Sequence, residues 1–123
     1  MRRLLLPAVL LTALPFAAQA QVDVRLEETV RCYNAAAVYA QQFVVMGEKP
    51  RYAELNGYAA ELKGRAYAIG AKYGRSRADV HAEFADNDSN YLRRFYIFGP
   101  GGMVLSEFGR GEIDYCGLNK VLR

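Results

Sequence analysis

The sequence predicts an all-α protein: a small four-helix bundle with an irregular C-terminal segment tied to the first helix by one disulfide. Three observations carry that expectation. Apolar residues recur at helical spacings of three and four through most of the chain after residue 21. Glycine and proline cluster between those stretches, where helices end. The two cysteines, Cys32 and Cys116, stand far apart, one in the first helical stretch and one near the C-terminus.

Residues 1–20 read as a cleaved signal peptide. Arg2-Arg3 is a positive start, Leu4 to Phe16 is apolar but short for a membrane span, and Ala18-Gln19-Ala20 has the small-x-small form that precedes cleavage. Residues 21–123 are then a single helical domain, with no later run long and apolar enough for membrane insertion. The formal net charge of +3 includes Arg2 and Arg3, so the processed chain is close to neutral. A balanced surface gives no reason to expect nucleic acid as a partner. Export places the chain in the periplasm, or outside the cell, where two cysteines most simply pair.

The first helix covers Val22 to Met46. Leu26, Val30, Tyr33, Ala37, Ala40 and Val44 form one apolar line, and Thr29, Cys32, Ala36, Tyr39, Phe43 and Met46 form a second beside it. Together they make a face wide enough to be covered on more than one side. Glu27, Glu28, Arg31, Asn34, Gln41 and Gln42 form its polar edge, with Glu27 and Arg31 spaced as an ion pair. Gly47 fits the helix end, and Glu48-Lys49-Pro50 connects to the next helix.

The second helix covers Arg51 to Tyr73, with Tyr52, Leu55, Ala59, Leu62, Ala66, Ile69 and Tyr73 on its core line. A line of small residues, Ala53, Gly57, Ala60 and Gly64, predicts close approach of another backbone within the bundle, or a groove for a partner helix. Ser76 is placed to cap a third helix over residues 77–98, weakened by the polar run Asp86 to Asn90 or divided by it into two shorter helices, the second capped by Asp88 or Ser89. Val80, Phe84, Tyr91, Phe95 and Phe98 share its face. Gly99-Pro100-Gly101-Gly102 is a turn. A fourth, irregular helix follows, with Val104, Phe108, Glu112 and Tyr115 on one line interrupted by Gly109 and Gly111, or with Met103-Val104-Leu105 extended instead; it ends near Gly117 with a mobile tail beyond.

No catalytic or metal motif survives inspection. Asp86 to Asn90 imitates the opening of a calcium loop, but Tyr91 stands where glycine is needed and Ile97 where a glutamate is needed. His81 is the only histidine; an enzyme site would have to be built around it with Asp79 and Glu83. Haem bound without covalent attachment would need His81 with Met46 or Met103 as axial ligands. No cofactor and no metal are expected.

Nine tyrosines are the unusual feature of composition, and all but Tyr115 fall between residues 33 and 96. Tyrosine joins a broad apolar ring to a polar tip, which suits interfaces as well as the edge of a small core. Tyr58, Tyr67 and Tyr96, with Arg93 and Arg94, are the candidate interface residues. The function expected is that of a non-enzymatic exported envelope protein that binds another protein, of inhibitor, immunity, chaperone or assembly-accessory type. The alternative is a carrier of a small apolar ligand or haem, lined by residues such as Tyr39, Phe43, Leu62 and Phe95. In layout alone the chain resembles small periplasmic helical proteins with one long-range disulfide, acid-stress chaperones and secretion-immunity proteins among them. No motif of either is present, and no residue role is transferred.

Overall fold

A computed structural model of the chain describes residues 16–85 and 88–122. Its order is α1 (Phe16–Val45), α2 (Lys49–Lys72), α3 (Arg77–Ala85), α4 (Asp88–Phe95), β1 (Tyr96–Gly99), β2 (Gly102–Leu105), α5 (Glu107–Tyr115) and α6 (Leu118–Val121). The protein is mostly helical, with one small antiparallel sheet of two strands. The first fifteen residues of the predicted leader lie outside the described residues. Among the described residues no helix is long and apolar enough to cross a membrane.

The wide apolar face of α1 decides the arrangement. Its N-terminal half buries Leu26 and Val30 in one cluster, against Ala66 and Ile69 of α2 and Val80 and Phe84 of α3. Its C-terminal half buries Ala35, Ala36, Tyr39, Ala40 and Phe43 in a second cluster. Leu55 and Ala59 of α2, Tyr91 and Phe95 of α4, Tyr96 of β1, Ile113 of α5 and Leu118 of α6 complete it. Tyr33 touches both clusters. Burying one such leucine or phenylalanine side chain contributes about 1.5–3 kcal/mol, so α1 is the element the others are held by.

The connection from α1 to α2 follows its residues. Gly47 takes a φ of 73°, a left-handed conformation that side chains oppose, and lets the Glu48 amide donate back to the Phe43 carbonyl at 2.8 Å. Pro50 occupies the first turn of α2, where its missing amide hydrogen leaves nothing unsatisfied. The predicted core line of α2 is buried at Leu55, Ala59, Leu62, Ala66 and Ile69. The small-residue line behaves differently. Ala53, Gly57, Ala60 and Gly64 are all exposed, and a side chain added at Gly57 or Gly64 would meet nothing within 4 Å. The expected close packing at these glycines within the bundle is therefore absent.

Three further expectations are corrected. Residues 77–98 do not form one helix: α3 ends at Ala85, α4 runs from Asp88, and the chain turns to a strand at Tyr96. Ser76 caps α3 as expected, accepting from the Asp79 amide at 3.1 Å. The segment around the glycine turn is a β-hairpin, with Tyr96 opposite Leu105, Ile97 opposite Val104 and Phe98 opposite Met103. Residues 118–121 are not a loose tail, because they form α6 and bury Leu118 completely.

The hairpin is locked to α5 by one short junction. Ser106 caps α5 by accepting from the Gly109 amide at 2.9 Å, while its own hydroxyl lies against the carbonyls of Arg94 and Phe95. The Ser106 amide donates to the Phe95 carbonyl at 2.9 Å. Gly109 sits so close that an added Cβ would lie 2.3 Å from that carbonyl oxygen. Gly109→Ala should therefore destabilise the protein by about 2–3 kcal/mol, since backbone rather than a flexible side chain must move. Urea unfolding gives the value; a loss below half a kcal/mol would mean that the junction is slack. The neighbouring Gly111, with nothing within 4 Å of an added Cβ, supplies the control substitution.

The disulfide is formed as expected. Cys32 on α1 and Cys116 at the end of α5 are 84 residues apart in sequence, with Cα atoms separated by 5.5 Å.

Candidate functional site

A cleft of about 750 Å3 opens between the two core clusters. One wall is a single face of α1, where Leu26, Glu27, Val30, Arg31 and Asn34 follow one another at spacings that align them. The opposite wall is assembled from Arg75 in the α2–α3 connection, Glu83 on α3, Tyr91 and Arg94 on α4, and Phe108 and Glu112 on α5. These residues come from well-separated parts of the chain and meet only because α3, α4 and α5 all pack on α1.

A polar network crosses the cleft. Arg31 Nε lies 3.1 Å from each carboxylate oxygen of Glu112, and Arg31 Nη2 lies 2.5 Å from Oε2. Tyr91 donates its hydroxyl to Glu112 Oε1 at 2.9 Å. The Arg31 guanidinium also lies 3.8 Å over the Tyr115 ring, and Tyr115 donates to Glu28 at 2.8 Å. The chain Glu28–Tyr115–Arg31–Glu112–Tyr91 thus ties α1 to α5 and α4, beside the disulfide that joins α1 to the same end of α5. A separate pair, Arg75 with Glu83 at 3.1 Å, closes the cleft on the α3 side.

This network replaces an expected local pair. Arg31 bonds Glu112 across the fold rather than serving as a helix-surface partner of Glu27. The exchange is physically reasonable, because an exposed pair along a helix contributes only a few tenths of a kcal/mol. A buried carboxylate without a cation costs far more.

The network also sets protonation. Burial raises the Glu112 carboxyl, but the Arg31 guanidinium and the Tyr91 hydroxyl outweigh it and hold Glu112 below its ordinary value of 4.5. The bond to Glu112 raises Arg31 further. Burial, then the bond to Glu112, pushes Tyr91 well above the usual phenol range. Burial likewise raises Tyr96 and Tyr39. Near neutral pH the cleft holds a fixed carboxylate and a fixed neutral phenol.

Because Glu112 titrates lower in the folded state, its contribution to stability is present above the unfolded pKa. That contribution is lost as pH falls through the folded value. Glu112→Gln should cost about 1–2 kcal/mol at pH 7. This is less than for a fully enclosed pair, because the Arg31 side chain is 41% exposed. The difference from wild type should narrow at pH 3. Urea unfolding at both pH values checks this, and an equal difference at the two would sink the assignment.

The residues singled out from sequence are scattered. Tyr58 is half-buried at the edge of the larger cluster. Tyr67 is half-buried on the other cluster, with Arg77 3.9 Å over its ring and His81 Nδ1 3.3 Å from its hydroxyl. Arg93 is exposed. Tyr96 is corrected: it is only 2% exposed, and its hydroxyl donates to the Val38 carbonyl at 3.0 Å, so it is a core residue rather than a surface anchor. Arg94 alone of the five lines the cleft, and its guanidinium stacks 3.9 Å over the Phe108 ring. Asn34, placed on the polar edge of α1 by sequence, is instead 7% exposed, and its amide nitrogen has no hydrogen-bond partner among the described residues.

The other candidates fare as follows. His81 is exposed and contacts Tyr67, while Glu83 engages Arg75, so the two do not form a joint site. Tyr39 packs against both Phe43 and Phe95, with ring centroids 5.2 and 6.4 Å away, and the three fill core space rather than line it. Among the described residues no three His, Cys, Asp or Glu side chains come together as a metal site. Asp86 and Asn87, which open the calcium-like run, lie outside the described residues. Compared with family models, curated proteins and solved structures, the chain matches none.

Proposed function

We propose that this chain is a non-enzymatic exported envelope protein that binds another protein, acting in the periplasm after removal of residues 1–20. The observation that carries this reading is the outer face of the hairpin. Ile97 and Val104 form a cross-strand pair on this face, 62% and 61% exposed; Phe98, whose side chain alternates to the other face, is exposed as well. Large apolar side chains gathered on a fixed element are a common mark of a protein interaction surface. Here the element is fixed by Ser106, Phe95 and Gly109. Arg93, exposed just before the strand, supplies a polar rim. The disulfide agrees with an oxidising compartment. We read the frame as a reduced four-helix bundle, with α1 and α2 as the long pair and α3–α4 and α5 as the short one.

The test is recovery of the tagged protein from its native envelope under mild conditions, alongside the double variant Ile97→Lys/Val104→Glu, whose opposite charges face each other across the strands. A stoichiometric protein partner is expected with the wild type and is expected to be lost with the variant, at unchanged thermal stability. Recovery of an empty monomer, or of a bound pigment or lipid without protein, would overturn the reading. The second outcome is what the apolar-ligand or haem carrier requires.

A further inference from the structure

We propose that the cleft between the two core clusters is a binding site for a small monocarboxylate with an apolar body, whose carboxylate is held by Arg94 and Asn34. This goes beyond protein binding and uses a different part of the surface. The cleft has the volume of a small-molecule site. Its chemistry follows from which lining groups are already satisfied. Glu112 accepts from Arg31 and Tyr91 on both oxygens, so its acceptor capacity is used. Arg75 and Glu83 engage each other. The donors left are Asn34, which is buried, and Arg94, which is exposed at the cleft.

The first donor is Asn34. Buried polar groups are almost always hydrogen-bonded, so a buried amide without a partner is an exception that asks for an acceptor. Asn34 is among the residues that line the cleft, and its terminal torsion is broad, so the amide is free to reorient toward an acceptor. The second donor is Arg94. The Phe108 ring covers the flat face of its guanidinium, which leaves the N–H edge for the forked geometry that a carboxylate accepts. Among the described residues no carboxylate pairs with it at salt-bridge distance. Arg94 lines the same cleft as Glu112 and Tyr91.

The rest of the lining limits the ligand. Leu26, Val30 and Phe108 offer apolar surface for a hydrocarbon or aromatic body. Glu27 lies two turns before Asn34, about 10 Å along α1, and opposes a second negative charge at that end. A single carboxylate, held on the Asn34 side of the cleft, satisfies both conditions.

Sodium 3-phenylpropionate is the probe, with 3-phenylpropionamide as its uncharged counterpart and inorganic phosphate as a plain anion. Each is titrated into the oxidised, full-length processed protein, and the Asn34 side-chain amide and Arg94 Nε–H signals are followed by NMR. The carboxylate is expected to move both signals saturably at millimolar concentration or below, and the amide is expected to leave them in place. Arg94→Gln should weaken binding about tenfold, the loss typical of one hydrogen bond to a charged group. Asn34→Leu should also weaken binding while keeping or raising the thermal midpoint, because it removes an amide with no partner. A lowered midpoint in Asn34→Leu would show that Asn34 has a structural role, and would overturn the assignment. So would the absence of any saturable shift up to about 50 mM carboxylate, well beyond a millimolar Kd. Equal shifts with phosphate would overturn the carboxylate class.

Discussion

Replacing Cys32 and Cys116 together by serine is expected to lower stability by about 4–5 kcal/mol, the largest effect of any surface-neutral change in this chain. The bridge spans 84 residues, and chain-entropy reasoning assigns a loop of that length about this value. The structure adds a local reason. Helix α5 has nine residues and α6 four, far too short to persist alone in water. Without the bridge they are held by Ile113 and Leu118 in the core and by the Arg31–Glu112 pair, whose guanidinium is partly open to solvent. The thermal midpoint should fall by about 20 °C or more for a domain of this size. Reducing agent added to the wild type should reproduce the loss. Hydrogen exchange should show α5 and α6 opening before the paired helices α1 and α2. A loss below about 1 kcal/mol, or uniform opening, would mean that the C-terminal segment is held by packing alone.

Truncation of Phe95 is expected to cost about 3–5 kcal/mol, the range for removing a large aromatic from a closed core. Phe95 is completely buried, with Tyr39, Tyr91 and Tyr96 around its ring at centroid distances of 6.4, 5.8 and 5.0 Å. It is also the last residue of α4, and its carbonyl receives the Ser106 amide. Phe95→Ala therefore opens a cavity where helix, hairpin and α5 meet. Phe98→Ala is the matched control: Phe98 lies three residues on in the same sequence face but is 57% exposed, so its loss should stay within about half a kcal/mol. Urea midpoints of the two variants decide this. Similar costs would show that the hairpin packs more tightly than its exposure indicates.

These two phenylalanines show where sequence reasoning stops. Both fall on one helical line with Val80, Phe84 and Tyr91, and periodicity alone treats them alike. The hairpin signal was nonetheless present. Tyr96-Ile97-Phe98 and Met103-Val104-Leu105 are short β-favouring runs on either side of a Gly-Pro-Gly-Gly turn. Helical periodicity continues through Phe98 and competes with that signal. Glu112 offered a similar clue, as a carboxylate on an otherwise apolar line with Phe108 and Tyr115. Its partner Arg31 lies 81 residues away, and nothing in either local pattern connects them. Asn34 read as polar and therefore outward, yet α1 is covered on so many sides that its polar edge is partly buried too.

Sequence by itself determined that the protein is mostly helical, that α1 is its central element, where α1 and α2 end, and that Cys32 pairs with Cys116. Each of these rests on local periodicity, on single residues such as Gly47 and Pro50, or on there being only two cysteines to pair. Tertiary structure alone decided the split of the core into two clusters, the network of Arg31, Glu112 and Tyr91, and the cleft with Asn34 and Arg94. Those features depend on which distant side chains meet when short elements pack on a common helix, and charge and burial at such meetings are properties of the assembled fold.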